Sequence, residues 1–253
     1  MESKFSLTSV SSSFSCSLAS LTSAIPSKVP PTYNFTGGAD GGTSAAGLIF
    51  DQAGNLYGTT QGGGNFGQNC GSSGCGVVFE VSPQGNGNWT ESVLYSFAGR
   101  ESGDIPSGGV IFDRAENLYG TTYYGGTSTG TAGLVFELSP TRDGTWTENV
   151  LYDFKGAADG ANPPDGVVFD KAGNLYGTAQ LGGNFKPCVY GCGVVFKLSP
   201  NSKGWTYTMV HSFYDHPGAQ PVSSLIFDTV GNLYGTDGGY NYSTFGSVFE
   251  ITP

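Results

Sequence analysis

Apolar and polar positions alternate over short runs along this chain, and the runs recur. Gly193 to Pro200 reads GVVFKLSP, an alternation that sets Val195 and Lys197 on one face of a strand and Val194, Phe196 and Leu198 on the other. Ahead of it stand Gly166 to Asp170, GVVFD, and Asn174 to Thr178, NLYGT; behind it stands Trp205 to Phe213, WTYTMVHSF. These four runs predict four extended strands. Lys171, Ala172 and Gly173 form the first hairpin turn, where the Asp170 carboxylate can accept from backbone amides two residues on. Pro200 ends the third strand, and Asn201 to Gly204 turn the chain into the fourth.

The whole unit is repeated. Asp51 to Thr59 reads DQAGNLYGT, Asp113 to Thr121 DRAENLYGT, Asp170 to Thr178 DKAGNLYGT and Asp228 to Thr236 DTVGNLYGT. The asparagines Asn55, Asn117, Asn174 and Asn232 are separated by 62, 57 and 58 residues, the period of one supersecondary unit. Four short antiparallel strands per unit, with no sustained 3.6-residue period, predict an all-β fold: a β-propeller of four blades. The second copy has Glu116 where the others have Gly, so its turn must place the positive backbone angle on Asn117 or bear strain.

The chain ends fit together on paper. Pro31 to Phe35 matches the end of a fourth strand, whereas Ser247 to Pro253 is a third strand with nothing after it. Pairing Tyr33 to Phe35 with Val248 to Ile251 would complete the last blade and close the ring in a monomer. The alternative is a partial propeller that dimerises into a larger ring. The domain boundaries expected are 1–30, a flexible Ser-rich leader containing Cys16, and 31–253, the propeller.

Composition narrows the function. Charged residues make up 12%, about half the ordinary fraction, and Gly at 42 of 253 is more than twice its usual share, without the Gly-X-Y period of collagen. A net charge of −10 with ten Lys plus Arg argues against nucleic acid, which needs a basic stripe. No apolar run is long enough to span a bilayer.

Four of the five cysteines fall in equivalent loops between the second and third strands: Cys70 with Cys75 in copy one, Cys188 with Cys192 in copy three. Local disulfides are the simplest reading and imply an oxidising compartment. A four-thiolate zinc site is the sharper alternative, although spacings of x4 and x3 are only loosely ligand-like.

These loops vary in length while the strands do not: Gly58 to Gly76, Gly120 to Gly133, Gly177 to Gly193 and Gly235 to Gly246 span 18, 13, 16 and 11 positions. In a propeller they share a rim with the links between blades, and that rim is the expected ligand surface. It would present Asn65, Phe66, Tyr123, Tyr124, Asn184, Phe185, Tyr190, Tyr240 and Tyr242, rings and amides suited to a polysaccharide or a protein surface. Carboxylates in the links, Asp40, Asp104, Asp159 and Asp165, are candidate Ca²⁺ ligands at the channel mouth, with turn capping as the competing reading. His216 beside Asp215 is the general-base candidate for a hydrolase or lyase, but no nucleophile motif accompanies it. His211 takes the place of Tyr95 and Tyr152 and reads as a packing residue. A purely structural repeat module is the third possibility.

The phrase GxLIFDxxGNLYGTTxxGG, followed by GxVFELSP and WTExVLYxF, resembles the GloVer tandem repeat of exported or surface-anchored bacterial proteins. The match runs from Tyr33 to Pro253 and departs at Glu116 and at Lys197, where the other copies have Glu80, Glu137 and Glu250. The resemblance implies an extracytoplasmic, secreted or cell-surface propeller-like protein and brings no catalytic residues. The DxxGNLY hairpin is more weakly similar to NHL and lactonase-like blades.

Overall fold

The computed structural model describes residues 32–44, 46–85, 87–127, 130–186, 188–214, 219–239 and 245–253. The leader expected over residues 1–30 lies outside them. Each copy of the repeat folds as an antiparallel meander. The first sheet comprises β1 (Ile49–Phe50), β2 (Leu56–Thr60), β3 (Val77–Pro83) and β4 (Trp89–Ser96). The second comprises β5 (Ile111–Phe112), β6 (Leu118–Thr122), β7 (Leu134–Pro140) and β8 (Trp146–Asp153). The third comprises β9 (Val168–Phe169), β10 (Leu175–Ala179), β11 (Val194–Asn201) and β12 (Gly204–Ser212). The fourth has three strands, β13 (Ile226–Phe227), β14 (Leu233–Asp237) and β15 (Ser247–Ile251).

The opening strand of each sheet is only two residues long, shorter than the five-residue run expected. In the second and third sheets its entry is crowded by neighbouring backbone. A Cβ on Gly108 would lie 1.9 Å from the Gly166 nitrogen, and one on Gly166 would lie 2.5 Å from the Gly109 carbonyl oxygen. Only glycine permits so close an approach.

The hairpin turns form as the sequence predicts. Asp170 Oδ1 accepts from the amides of Ala172 and Asn174, at 2.8 and 2.9 Å, while Oδ2 accepts from the Asn174 side chain. Asp51, Asp113 and Asp228 make the same bonds. Burial alone would raise these carboxyls, but the amide hydrogen bonds outweigh it and hold all four below the usual carboxylate range. In the second copy Glu116 itself takes φ 66°, so the strain falls there and not on Asn117.

The core lies between the sheets, and one contact pattern builds it three times. On β11, Val194, Phe196 and Leu198 pack with Leu175 and Val167 against Tyr119 and Val135 of the second sheet. Val195, on the opposite face, packs with Tyr176 against Leu225 and Leu233 of the fourth. Edge-to-face rings mark each junction: Tyr57–Phe112, Tyr119–Phe169 and Tyr176–Phe227, with centroids 4.9, 5.1 and 5.3 Å apart. A second set, Phe97–Phe136, Phe154–Phe196 and Phe213–Phe249, joins each fourth strand to the next sheet. A bulge opposes two residues to one where β3, β7 and β11 meet the fourth strand, leaving Leu94, Leu151 and Val210 as the extra residues.

Backbone clips fasten consecutive sheets. Ile105, Asn162 and Gln220 adopt φ 56°, 55° and 58°, conformations unfavourable for residues other than glycine. Each donates its amide to the sheet before, at Cys75, Ala132 or Cys192, and accepts from the sheet after, at Tyr123, Gln180 or Gly238. Thr59, Thr121 and Thr178 add hydroxyl bonds to the carbonyls of Gly108, Asp165 and Ser223 in the following link.

At the start of the compact unit, Thr32–Pro253, Tyr33 and Phe35 pack on Val77, Phe79 and Val81. Phe35 meets Phe79 at 4.8 Å, repeating the contact that Phe97 makes with Phe136. This segment therefore occupies the seat of a preceding fourth strand. The expected ring closure is not confirmed, however: among the described residues β15 pairs with β14 alone, and no ladder joins Val248–Ile251 to Tyr33–Phe35.

Candidate functional site

The loops between second and third strands share a rim with the links between sheets, because the two segments bridge directly. Gly42 pairs with Gly62, Asp104 with Tyr124, Ala161 with Leu181 and Pro221 with Asp237. Two of these loops are stapled. Cys70–Cys75 and Cys188–Cys192 are disulfides, and all four cysteines are buried. Four of the five thiols should therefore become titratable only after reduction, and Cys188→Ser with Cys192→Ser should cost about 2 kcal/mol in a urea melt. Five free thiols in the unreduced, denatured protein would refute this pairing.

Asn65 and Asn184 brace the loops that carry them. Their Oδ1 atoms accept from the amides of Gly67 and Lys186, and their carbonyls accept from Cys75 and Cys192. These turns thrust the next residues outward: Phe66 and Phe185 are 49% and 48% exposed at equivalent positions. Tyr190 stands 71% exposed beside the second disulfide. Tyr124 is exposed and packs edge-to-face on Tyr123, whose hydroxyl donates to Gln180 Oε1 of the third sheet at 2.8 Å. Tyr240 and Tyr242 lie outside the described residues, as do Asp215 and His216.

Three of the four candidate metal ligands are brought into separate duties, while Asp104 Oδ1 is buried without a hydrogen-bond partner. Asp40 accepts from the Thr36 amide and Tyr33 hydroxyl, and Asp159 from the Lys155 amide and Tyr152 hydroxyl. Ser102 caps the Ala98 amide at the equivalent place, so capping is common to all three links. Asp165 accepts from the amides of Gly166 and Ser224, which ties the third sheet to the fourth. Asp104 is partly buried, and that burial pushes its carboxyl up to about 6. Among the described residues no three His, Cys, Asp or Glu side chains converge within metal-binding reach. His211 packs edge-to-face on Phe213, and burial lowers its pKa. Lys197, the departure from Glu, sets its ammonium 5.4 Å from the centre of the Tyr176 ring.

One feature of the opposite rim escaped sequence reading. Grooves of about 450, 700 and 510 Å³ lie between consecutive hairpin turns. The first has Phe50, Arg114 and Trp146 in its walls, the second Phe112, Lys171 and Trp205. The Trp that opens each fourth strand was the available signal, but only sheet stacking brings it beside the previous sheet's turn.

Four successive antiparallel meanders, joined through one repeated contact and carrying unequal loops on one rim, define a propeller-like repeat protein. Residues 66–253 match the Gloeobacter/Verrucomicrobia repeat, and the chain belongs to that family. No curated protein matches the sequence. Among solved structures, one described provisionally as a gluconolactonase is similar at 19% identity and TM-score 0.45. The match covers 82% of this chain and 63% of the other, so the chain spans less than two thirds of that protein's length. An exo-1,5-α-L-arabinanase from a bovine ruminal metagenomic library is similar at 12% identity and TM-score 0.42, covering 80% and 71%. Likeness at this level assigns no activity to this chain. No helix among the described residues is long and apolar enough to cross a membrane.

Proposed function

We propose that this protein is an exported, non-enzymatic repeat protein that binds a neutral polysaccharide through its stapled loop rim. The observation that carries the reading is the equivalent placing of Phe66 and Phe185 on disulfide-anchored loops, with Tyr190 and Tyr124 also exposed there. Rigid aromatic faces stack on sugar rings at little entropic cost, and a net charge of −10 disfavours acidic glycans. The disulfides support an extracytoplasmic location. Asp40, Asp159 and Asp165, already engaged by amides and hydroxyls, support binding over catalysis.

A glycan array with a parallel peptide array tests the proposal. Neutral-glycan signals should fall about tenfold or more in Phe66→Ala with Phe185→Ala, a loss typical of aromatic anchors. Signals confined to peptides, or unchanged in the variant, would overturn it.

A further inference from the structure

The contact that joins consecutive sheets is left half-made at both ends of the compact unit. Val78, Val135 and Val195 are each 0% exposed because the following sheet covers them; their counterpart on the fourth sheet, Val248, is 76% exposed. Val110, Val167 and Leu225 are 1–2% exposed beneath the preceding sheet, whereas their counterpart on the first, Leu48, is 51% exposed. Tyr57, Tyr119 and Tyr176 each meet a Phe of the next sheet. Tyr234 is the fourth such Tyr, and Phe50, 67% exposed, is the fourth such Phe.

Polar positions follow the same division. Thr59, Thr121 and Thr178 are buried against the next link, but Thr236 is exposed. Thr43, with φ 60°, already holds the clip conformation of Ile105, Asn162 and Gln220. The carbonyl that would receive its amide belongs to Phe245, the counterpart of Cys75, Ala132 and Cys192. One end is therefore a knob and the other a socket. The socket is a recess of about 160 Å³ lined by Tyr33, Phe35, Leu48, Leu56, Phe79 and Val81.

We propose that two copies of this chain associate head to tail, the fourth sheet of each seating on the first sheet of the other. Val248 and Tyr234 enter the recess over Leu48 and Phe79, and Phe50 completes the ring pair with Tyr234. The open edge of β15 takes Tyr33–Phe35 of the other copy as a fourth strand. Eight sheets then close one ring, within the usual range of four to eight blades. The occupant is a second copy because both halves of this contact are encoded in the same repeat, and the chain shows three times how they fit. Open-ended addition of further copies would instead give filaments.

Sedimentation velocity over a concentration series tests this. The wild type should run near 52 kDa, twice 26.2 kDa. Val248→Glu spoils only the knob and Leu48→Glu only the socket, and each should weaken association about a hundredfold or more by burying an unpaired charge. Both sites are exposed within one chain, so circular dichroism should stay native. An equimolar mixture of the two variants keeps one intact junction and should recover a heterodimer that neither forms alone. A wild type that stays monomeric at all concentrations, whether closed on itself or open, overturns the proposal, as do variants that fail to complement each other or a ladder of larger oligomers.

Discussion

Phe196→Ala should cost about 3–5 kcal/mol in urea denaturation, and Gly177→Ala should restore part of that loss. Phe196 is fully buried, meets Phe154 at 5.2 Å, and lies over the glycine of NLYGT. A Cβ on Gly177 would come within 2.5 Å of its ring. The same clash arises between Gly58 and Phe79, Gly120 and Phe136, and Gly235 and Phe249, so glycine and ring form one packing unit in every copy. Gly177→Ala alone should therefore destabilise by about 1–3 kcal/mol through overpacking. In the double variant the new methyl group enters the space the ring has left. The two costs should fall short of their sum by more than about 0.5 kcal/mol, the usual limit of additivity for independent sites. Additive losses would show that the strand glycine has some other cause.

The second large effect concerns pH. Glu148 on β8 accepts from the Tyr95 hydroxyl of the first sheet at 2.8 Å, while its Oε1 is buried without a hydrogen-bond partner. Burial pushes its carboxyl up to about 7. Glu91 at the equivalent place on β4 is also pushed up to about 7, by burial first and the Asp40 charge second. A carboxyl raised in the folded state binds its proton more tightly there than in the unfolded chain. Its stabilising effect is thus complete below the unfolded value, about 4.3, and is lost as pH rises through about 7. Stability should decline from pH 5 to 8. The four depressed turn aspartates act oppositely, withdrawing stability only as pH falls below their unfolded value near 3.9. Glu148→Gln keeps an acceptor for Tyr95 and removes the buried charge. It should gain about 1–3 kcal/mol at pH 8 and close to nothing at pH 4, after discounting for partial exposure. A variant less stable than wild type at pH 8 would contradict this reading.

Much of the local architecture was legible because each copy carries its own instructions. The Asp170 turn, the two faces of β11 and the paired cysteines depend on neighbours within one repeat. Asp40 and Asp159 were legible as caps because Ser102 stands at their place in the second copy. What escaped the sequence arises between repeats. Glu148 reads as an ordinary surface residue of an alternating strand until Tyr95 of another sheet covers it. The glycine of NLYGT looks like a weak point in a strand until Phe196 is laid across it. The bulges at Leu94, Leu151 and Val210 shift the phase of the fourth strand by one, which no alternation pattern announces. The expected closure is not confirmed for a related reason: the matching ends show which segments are complementary, but among the described residues no ladder joins them. The aromatic rim was legible as composition, but not that Asn65 and Asn184 each accept a backbone amide on Oδ1 in the turns that expose Phe66 and Phe185.

The central claim is that four copies of one meander stack through one repeated contact. Nuclear Overhauser spectra of protein labelled selectively at Tyr and Phe rings test it most directly. The account predicts ring-to-ring cross-peaks for Tyr57–Phe112, Tyr119–Phe169 and Tyr176–Phe227, whose centroids lie 4.9 to 5.3 Å apart. Their absence, with cross-peaks confined to rings of a single repeat, would contradict it.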